Sequence, residues 1–197
     1  MKEIIFIMGK SASGKDKIFK KIVNEFDGEL KTVVMYTTRP MRVGEREGVE
    51  YHFVDDAVVE KLEQNGKIIE LRAYNTINGV WKYFTADDGQ IVLDGKNRYI
   101  IIGTLEAYEK FVEFYGREHF MPIYIEVDDD IRLERSIKRE RKQLKPNYEE
   151  LCRRFLADAK DFSEDNIKHA QINRCFKNNG RLEDCIEEIK QYIMQSQ

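Results

Sequence analysis

The sequence predicts an α/β fold, a parallel-sheet core into which one small, mostly antiparallel lobe is inserted. Three observations carry that prediction. Short apolar runs alternate with helical stretches along most of the 197 residues, the pattern of sheets wound by right-handed crossovers. The glycine-rich window Gly9-Lys10-Ser11-Ala12-Ser13-Gly14-Lys15-Asp16 joins the first apolar run to the first helical stretch. Between about residues 37 and 93 the rhythm changes to short alternating segments joined by glycine and asparagine turns.

Each element has its own justification. Residues 4–8 are uniformly apolar, as a strand buried on both faces must be. In residues 15–26, Ile18, Phe19, Ile22, Val23 and Phe26 fall on one helical face. Asp27 and Gly28 then turn the chain into a second strand expected over 30–36. Inside the inserted lobe, strands are expected at 49–54, 68–74 and 80–84, with the Asn78-Gly79 dipeptide favouring a tight hairpin. Core strands follow at 99–102 and 122–127. Helices are expected at 105–115, 129 to about 141, 148–162 and 182–193, with Pro146 placed at a helix start.

Composition narrows the function classes. One domain of 1–197 is expected, with its core at 1–36 and 94–197, the lobe at about 37–93 and a lid at about 132–147. Lys plus Arg number 33 against 36 Asp plus Glu, a net charge of −3 that gives no basis for nucleic-acid binding. No apolar run reaches membrane-spanning length, and the first is cut short by the glycines, so neither a signal segment nor a membrane anchor is expected. Cys152, Cys175 and Cys185 have no metal-ligand spacing and fit a reducing cytoplasm. His52, His119 and His169 are isolated and read as surface or structural residues.

The glycine window carries the chemistry. Gly9 and Gly14 permit turns that aim successive backbone N–H groups at a phosphate, and the following helix adds its positive end. Lys15 would reach the β- and γ-phosphates of a nucleotide, with Ser11, Ala12 and Ser13 completing the cradle. Where this G-x-x-x-x-G-K pattern normally ends in Ser or Thr, the chain has Asp16, a hard oxygen donor suited to Mg2+. A second anion site is expected past the second strand, where Arg39, Arg42 and Tyr51 can converge on a phosphate. The alternative is a solvated loop whose arginines pair with Glu45 and Glu47. Further along, Arg132, Arg135 and Arg139 share one helical face and could close over a nucleotide, or could form salt bridges with Glu134 and Glu140.

With these residues in place, the chain resembles the guanylate kinase family of nucleoside monophosphate kinases. The resemblance is carried by the glycine loop and by Thr37, Thr38, Arg39, Arg42, Gly44, Glu45, Gly48, Tyr51 and Phe53, in order and spacing. It implies a P-loop nucleoside monophosphate kinase fold with a substrate lobe and a helical lid. It also implies ATP and Mg2+ as cofactors and GMP or dGMP as acceptor, in a monomer or homodimer. By position, Arg39, Arg42, Tyr51 and Tyr83 would hold the acceptor phosphate, and Glu70 and Thr85 would read guanine. Arg135, Arg139 and Arg154 would join Lys15 at the transferring group, where cationic stabilisation carries much of the rate.

Three departures bear on the acceptor. Asp16 replaces the loop hydroxyl, Met35 stands at a family serine, and Gly103-Thr104 replace an acidic segment at the end of the third core strand. These leave two alternatives beside a GMP or dGMP kinase: a kinase of another nucleoside monophosphate or small phosphorylated molecule, or a non-catalytic module that binds a phosphorylated peptide.

Overall fold

A computed structural model describes residues 2–76 and 79–195. The chain opens with β1 (Ile4–Met8), the glycine loop and α1 (Lys15–Glu25), followed by β2 (Leu30–Thr32), β3 (Tyr36–Thr37) and β4 (His52–Phe53). Next come α2 (Asp56–Gln64), β5 (Ile68–Thr76), β6 (Gly79–Ala86), β7 (Arg98–Gly103), α3 (Leu105–Tyr115) and β8 (Phe120–Glu126). The remainder is α4 (Asp129–Glu140), α5 (Tyr148–Asp161), α6 (Glu164–His169), β9 (Cys175–Lys177) and α7 (Leu182–Met194).

Five strands form an all-parallel sheet in the order β2-β7-β1-β8-β9. The central β1 is wholly buried, and its alternation divides the core in two. Ile4, Phe6 and Met8 pack with Tyr108 and Phe111 of α3 and with Phe120. Ile5 and Ile7 pack on the other face with Ile18 and Ile22 of α1 and with Ile186 and Ile189 of α7. Removing both faces of a strand from water is what an uninterrupted apolar run requires.

A second sheet, β4-β3-β6-β5, forms the lobe. Its long hairpin pairs β5 with β6 antiparallel, and α2 seals its far side through Val59, Phe84 and Ala86. The Asn-Gly turn expected at the hairpin tip involves Asn78, which lies outside the described residues.

Several expected elements differ. The strand expected over 30–36 is divided between the two sheets, β2 pairing with β7 and β3 with β6. Between them the Gln90 side chain binds the Val34 backbone through both its amide groups, at 2.8 and 3.1 Å, so no neighbouring strand is needed there. The strand expected at 49–54 shrinks to β4, because Val49 N and Glu50 N donate back to the Arg46 carbonyl at 3.2 and 3.4 Å and form a turn instead of extending. Helices α2 and α6 and strand β9 were not expected. Asn147 rather than Pro146 caps α5, its side chain accepting from Glu150 N at 2.9 Å.

Candidate functional site

The glycine loop leaves the carboxyl end of β1, the edge at which open parallel sheets bind ligands. Its glycines are needed for space. A Cβ on Gly9 would come within 2.7 Å of the Ile125 carbonyl, and one on Gly14 within 2.6 Å of Asn178 Nδ2. Gly14 also has φ +90°, and Ala12 has φ 64°, so the loop runs through left-handed backbone twice before α1. Gly14 is the N-cap of α1 and Lys15 and Asp16 start the helix, which places both side chains at its positive end. Asp16 does not cap the helix. Its exposed carboxylate is 3.8 Å from Lys15 Nζ.

Two residues that were not expected, Asn178 and Asp158, hold the loop, and the expected Arg135 supports the first of them. Asn178 donates from Nδ2 to the Ser13 carbonyl at 2.8 Å, and Arg135 donates to the Asn178 carbonyl at 2.9 Å, tying the loop to α4. Asp158 of α5 accepts from Ser11 N at 2.8 Å and from Arg132 at 3.2 Å. Ser13 Oγ is buried and makes no hydrogen bond among the described residues.

The basic face expected on α4 separates into different roles. Arg132 is fully buried, paired with Asp129 at 2.9 Å and Asp158 at 3.2 Å, and stacked 3.9 Å above the Phe155 ring. It is a strut between α4 and α5 rather than a mobile cation. Arg139 and Arg154 are exposed and line one small cleft together with Ser11 and Arg132. Glu134 pairs with Lys138, so it does not neutralise these arginines.

In the lobe, Thr37 and Thr38 stitch β3 to β6: Thr37 Oγ1 donates to the Lys82 carbonyl, and Lys82 N donates to Thr38 Oγ1, each at 2.9 Å. Arg39 follows with 4% exposure, its guanidinium gripped by both Glu45 oxygens at 2.7 and 2.6 Å. It also lies 5.1 Å from the centre of the Tyr51 ring. The pairing with Glu45 is the alternative read from the sequence, but with Arg39 buried and Glu45 half-buried it is not a solvated surface pair. The hydrogen bonds from Arg39 hold the Glu45 carboxyl far down, at about 2, and Glu45 in turn raises Arg39. Tyr83 packs edge-on against Tyr51 at 5.7 Å, and burial raises the Tyr51 phenol. Arg39, Tyr51 and Tyr83 therefore meet, while the Arg42 side chain is exposed beside them.

Glu70 and Thr85 are register partners on β5 and β6, and both are buried. Thr85 Oγ1 donates to Glu70 at 3.2 Å. Arg72, two residues along the same strand face, also binds Glu70, through Nε at 3.0 Å and Nη2 at 3.3 Å. Its Nη2 lies 3.9 Å from the Met35 sulfur. A cavity of about 410 Å³ opens here, lined by Met35, Tyr51, Arg72, Tyr74, Trp81 and Tyr83. At the end of β7, the departure at Gly103-Thr104 has a local explanation. A Cβ on Gly103 would lie 2.7 Å from the Phe6 ring, and Thr104 caps α3 by accepting from Ala107 N at 3.2 Å.

Among the described residues, no group of three or more His, Cys, Asp or Glu is arranged to hold a metal ion, and no helix is long and apolar enough to cross a membrane. His52 pairs with Glu47 and His119 with Glu3.

Comparison with known proteins places these features in context. Residues 1–94 match the family model described as guanylate kinase. A guanylate kinase of Legionella pneumophila (strain Lens) is 39% identical over 67 residues, 34% of this chain and 32% of that protein. One from Anaplasma phagocytophilum (strain HZ) is 30% identical over 162 residues, 82% of this chain and 66% of that protein. The chain thus spans about a third of the first relative's length and 66% of the second's. The crystal structure of guanylate kinase from Anaplasma phagocytophilum superposes with a TM-score of 0.63 at 21% identity, covering 98% of this chain and 86% of that one. That likeness is one of fold.

Proposed function

We propose that the chain belongs to the guanylate kinase family and transfers the γ-phosphoryl group of ATP to GMP or dGMP, giving ADP and the nucleoside diphosphate. The observation that carries this reading is the pairing of two anion sites of different construction. One is a glycine loop with Lys15 at the head of α1, and the other is the buried Arg39 with Tyr51 and Tyr83 in the lobe.

In this reading the loop N–H groups and Lys15 hold the ATP phosphates. The unpartnered Ser13 Oγ is a donor left over for the same purpose. Gly9 and Gly14 keep the backbone close enough to serve. Arg39, Arg42, Tyr51 and Tyr83 hold the acceptor phosphate, already anionic at neutral pH, so no general base is required. One of its oxygens attacks the γ-phosphorus as the bond to the ADP oxygen breaks. Arg135, Arg139 and Arg154, with Lys15, offset the charge on the moving group.

The residues present suit Mg2+. Its usual protein share is one or two carboxylates, the rest being phosphate oxygens and water, and Asp16 offers an exposed carboxylate beside the loop. When bound there, the ion would neutralise charge between the β- and γ-phosphates.

We assign the division of labour as core, lobe (about 37–93) and lid (about 132–147), in a cytoplasmic monomer or homodimer. The structural support for a lid is that α4 and α5 are joined by the exposed segment 141–147. The Arg72–Glu70 pair favours keeping a second acceptor in view, since it alters the surface that a base would meet. A coupled ADP-release assay across ribo- and deoxynucleoside monophosphates tests the reading. ADP release dependent on GMP or dGMP is expected, and release with none of the monophosphates would refute it.

A further inference from the structure

The Glu70 carboxylate is nearly used up before any ligand arrives. A carboxylate offers about four acceptor positions, and three here are filled: Oε1 accepts from Thr85 and Arg72 Nη2, and Oε2 from Arg72 Nε. One position remains. Glu70 therefore has room to accept a single N–H from a base, whereas the Watson–Crick edge of guanine offers two, at N1 and at the 2-amino group. No carboxylate at 103–104 takes the second. Gly103 is packed against Phe6, and Thr104 Oγ1 is engaged in capping α3.

Arg72 contributes what Glu70 lacks. Its Nη1 makes no hydrogen bond to a described residue, and the side chain lines cavities of about 990, 220 and 410 Å³ that meet around it. Burial works against its charge, but the adjacent Glu70 carboxylate outweighs that, and the guanidinium is raised above its ordinary range. The ion pair thus presents one acceptor beside several donors. On a 6-oxopurine the complementary groups are neighbours: N1–H donates and O6 accepts, with N7 a second acceptor for a guanidinium. Adenine has the opposite order, an acceptor at N1 and a donor at N6, and faces the pair mismatched. The aromatic walls Tyr51, Tyr74, Trp81 and Tyr83 supply apolar surface for the base.

Resting on the nucleoside monophosphate kinase reading above, we propose that Arg72 is a specificity-determining residue. Together with Glu70 it reads the N1–H/O6 edge and leaves the 2-amino group unread. The acceptor class is then 6-oxopurine nucleoside monophosphates, hypoxanthine as well as guanine. This carries two measurable consequences. IMP is phosphorylated with kcat/KM within tenfold of GMP, while AMP falls at least a hundredfold below both. Arg72→Ala frees two positions on Glu70 for the 2-amino group and removes the O6 donor, so both substrates weaken, IMP more than GMP. The GMP-to-IMP ratio of kcat/KM is expected to rise at least threefold.

The test is steady-state kinetics of wild type, Arg72→Ala and Arg72→Lys with GMP, IMP and AMP at saturating MgATP, each variant checked by circular dichroism. Arg72→Lys retains a donor and should keep the ratio nearer wild type. A wild-type preference for GMP over IMP above tenfold overturns the proposal, as does AMP accepted within a hundredfold of GMP, or a ratio that rises less than threefold in folded Arg72→Ala. If Arg72→Ala fails to fold, the wild-type comparison and Arg72→Lys decide. Absence of turnover with every monophosphate would refute the kinase reading itself, whereas good GMP turnover with IMP rejected refutes only the role given to Arg72.

Discussion

Gly14→Ala is the substitution whose effect is most fully determined by the structure. At φ +90° a Cβ meets left-handed strain of about 1–2 kcal/mol. It would also lie 2.6 Å from Asn178 Nδ2, a contact that cannot be relieved by swinging the amide away at no cost. Asn178 is 2% exposed, and that same Nδ2 donates to the Ser13 carbonyl. Losing this hydrogen bond costs about 1 kcal/mol. Together the two effects predict destabilisation of about 2–3 kcal/mol. Gly28→Ala is the matched control, since Gly28 also has positive φ, at 79°, but has open space around it. Backbone strain alone, about 1–2 kcal/mol, is expected there. Urea unfolding of both variants gives the stability difference, and calorimetric titration with MgATP gives the functional one. Gly14→Ala should lose ATP binding, because moving Asn178 shifts both the loop carbonyl and the carbonyl that Arg135 grips. Gly28→Ala should bind normally. Equal stability losses in the two proteins, or normal ATP affinity in folded Gly14→Ala, would refute the account of the loop.

Other substitutions probe the remaining contacts. Arg42→Ala is expected to raise the KM for GMP about tenfold, the effect of losing roughly 1.5 kcal/mol from a charge-assisted contact, with the KM for ATP unchanged in the same kinetics. Asp158→Ala removes one of the two carboxylates on the buried Arg132 and frees the Ser11 N–H. A loss of about 2 kcal/mol on urea unfolding is expected, less than for a wholly unpaired buried charge because Asp129 remains. The carboxyl of Glu45 is held at about 2 in the folded protein, well below its ordinary 4.5. Its contribution to stability is therefore complete above about pH 4.5 and fades as pH falls toward 2. Glu45→Gln should accordingly flatten the acid limb of a stability-against-pH curve between those values. Asp16→Ser should weaken the dependence of ATP binding on Mg2+ in calorimetric titration. An identical dependence in both proteins would remove Asp16 as a metal ligand.

What was legible in the sequence was what the chain decides locally. The apolar run before Gly9, the Gly9–Lys15 spacing and the one-sided helical faces of α1, α3 and α7 depend on neighbours a few residues away, and each sits where it was expected. The lobe was legible as a lobe, but its details were not. Val33, Val34 and Met35 read as continuous strand, and only a distant Gln90 shows why the pairing stops. Helix α2 carried a visible signal in Asp55, which caps it at Val58 N, but the surrounding short segments concealed it. In the site, the convergence of Arg39 and Tyr51 was expected from their place past the second strand, and that of Tyr83 from the family resemblance. The contact of Asp158 with Ser11 joins residues 147 apart and had no sequence signal. Arg72 did have one, since an arginine two positions from a glutamate on a strand shares its face. Its importance follows from the burial of Glu70, to which Arg72 and Thr85 both donate.

The central claim is phosphoryl transfer between two nucleotides held at the loop and the lobe. Phosphorus-31 magnetic resonance of the purified chain with ATP, Mg2+ and GMP observes that transfer directly. Matched growth of ADP and GDP resonances, with no inorganic phosphate, is the predicted result. An unchanged spectrum, or conversion of ATP to ADP and inorganic phosphate with GMP left intact, would contradict it.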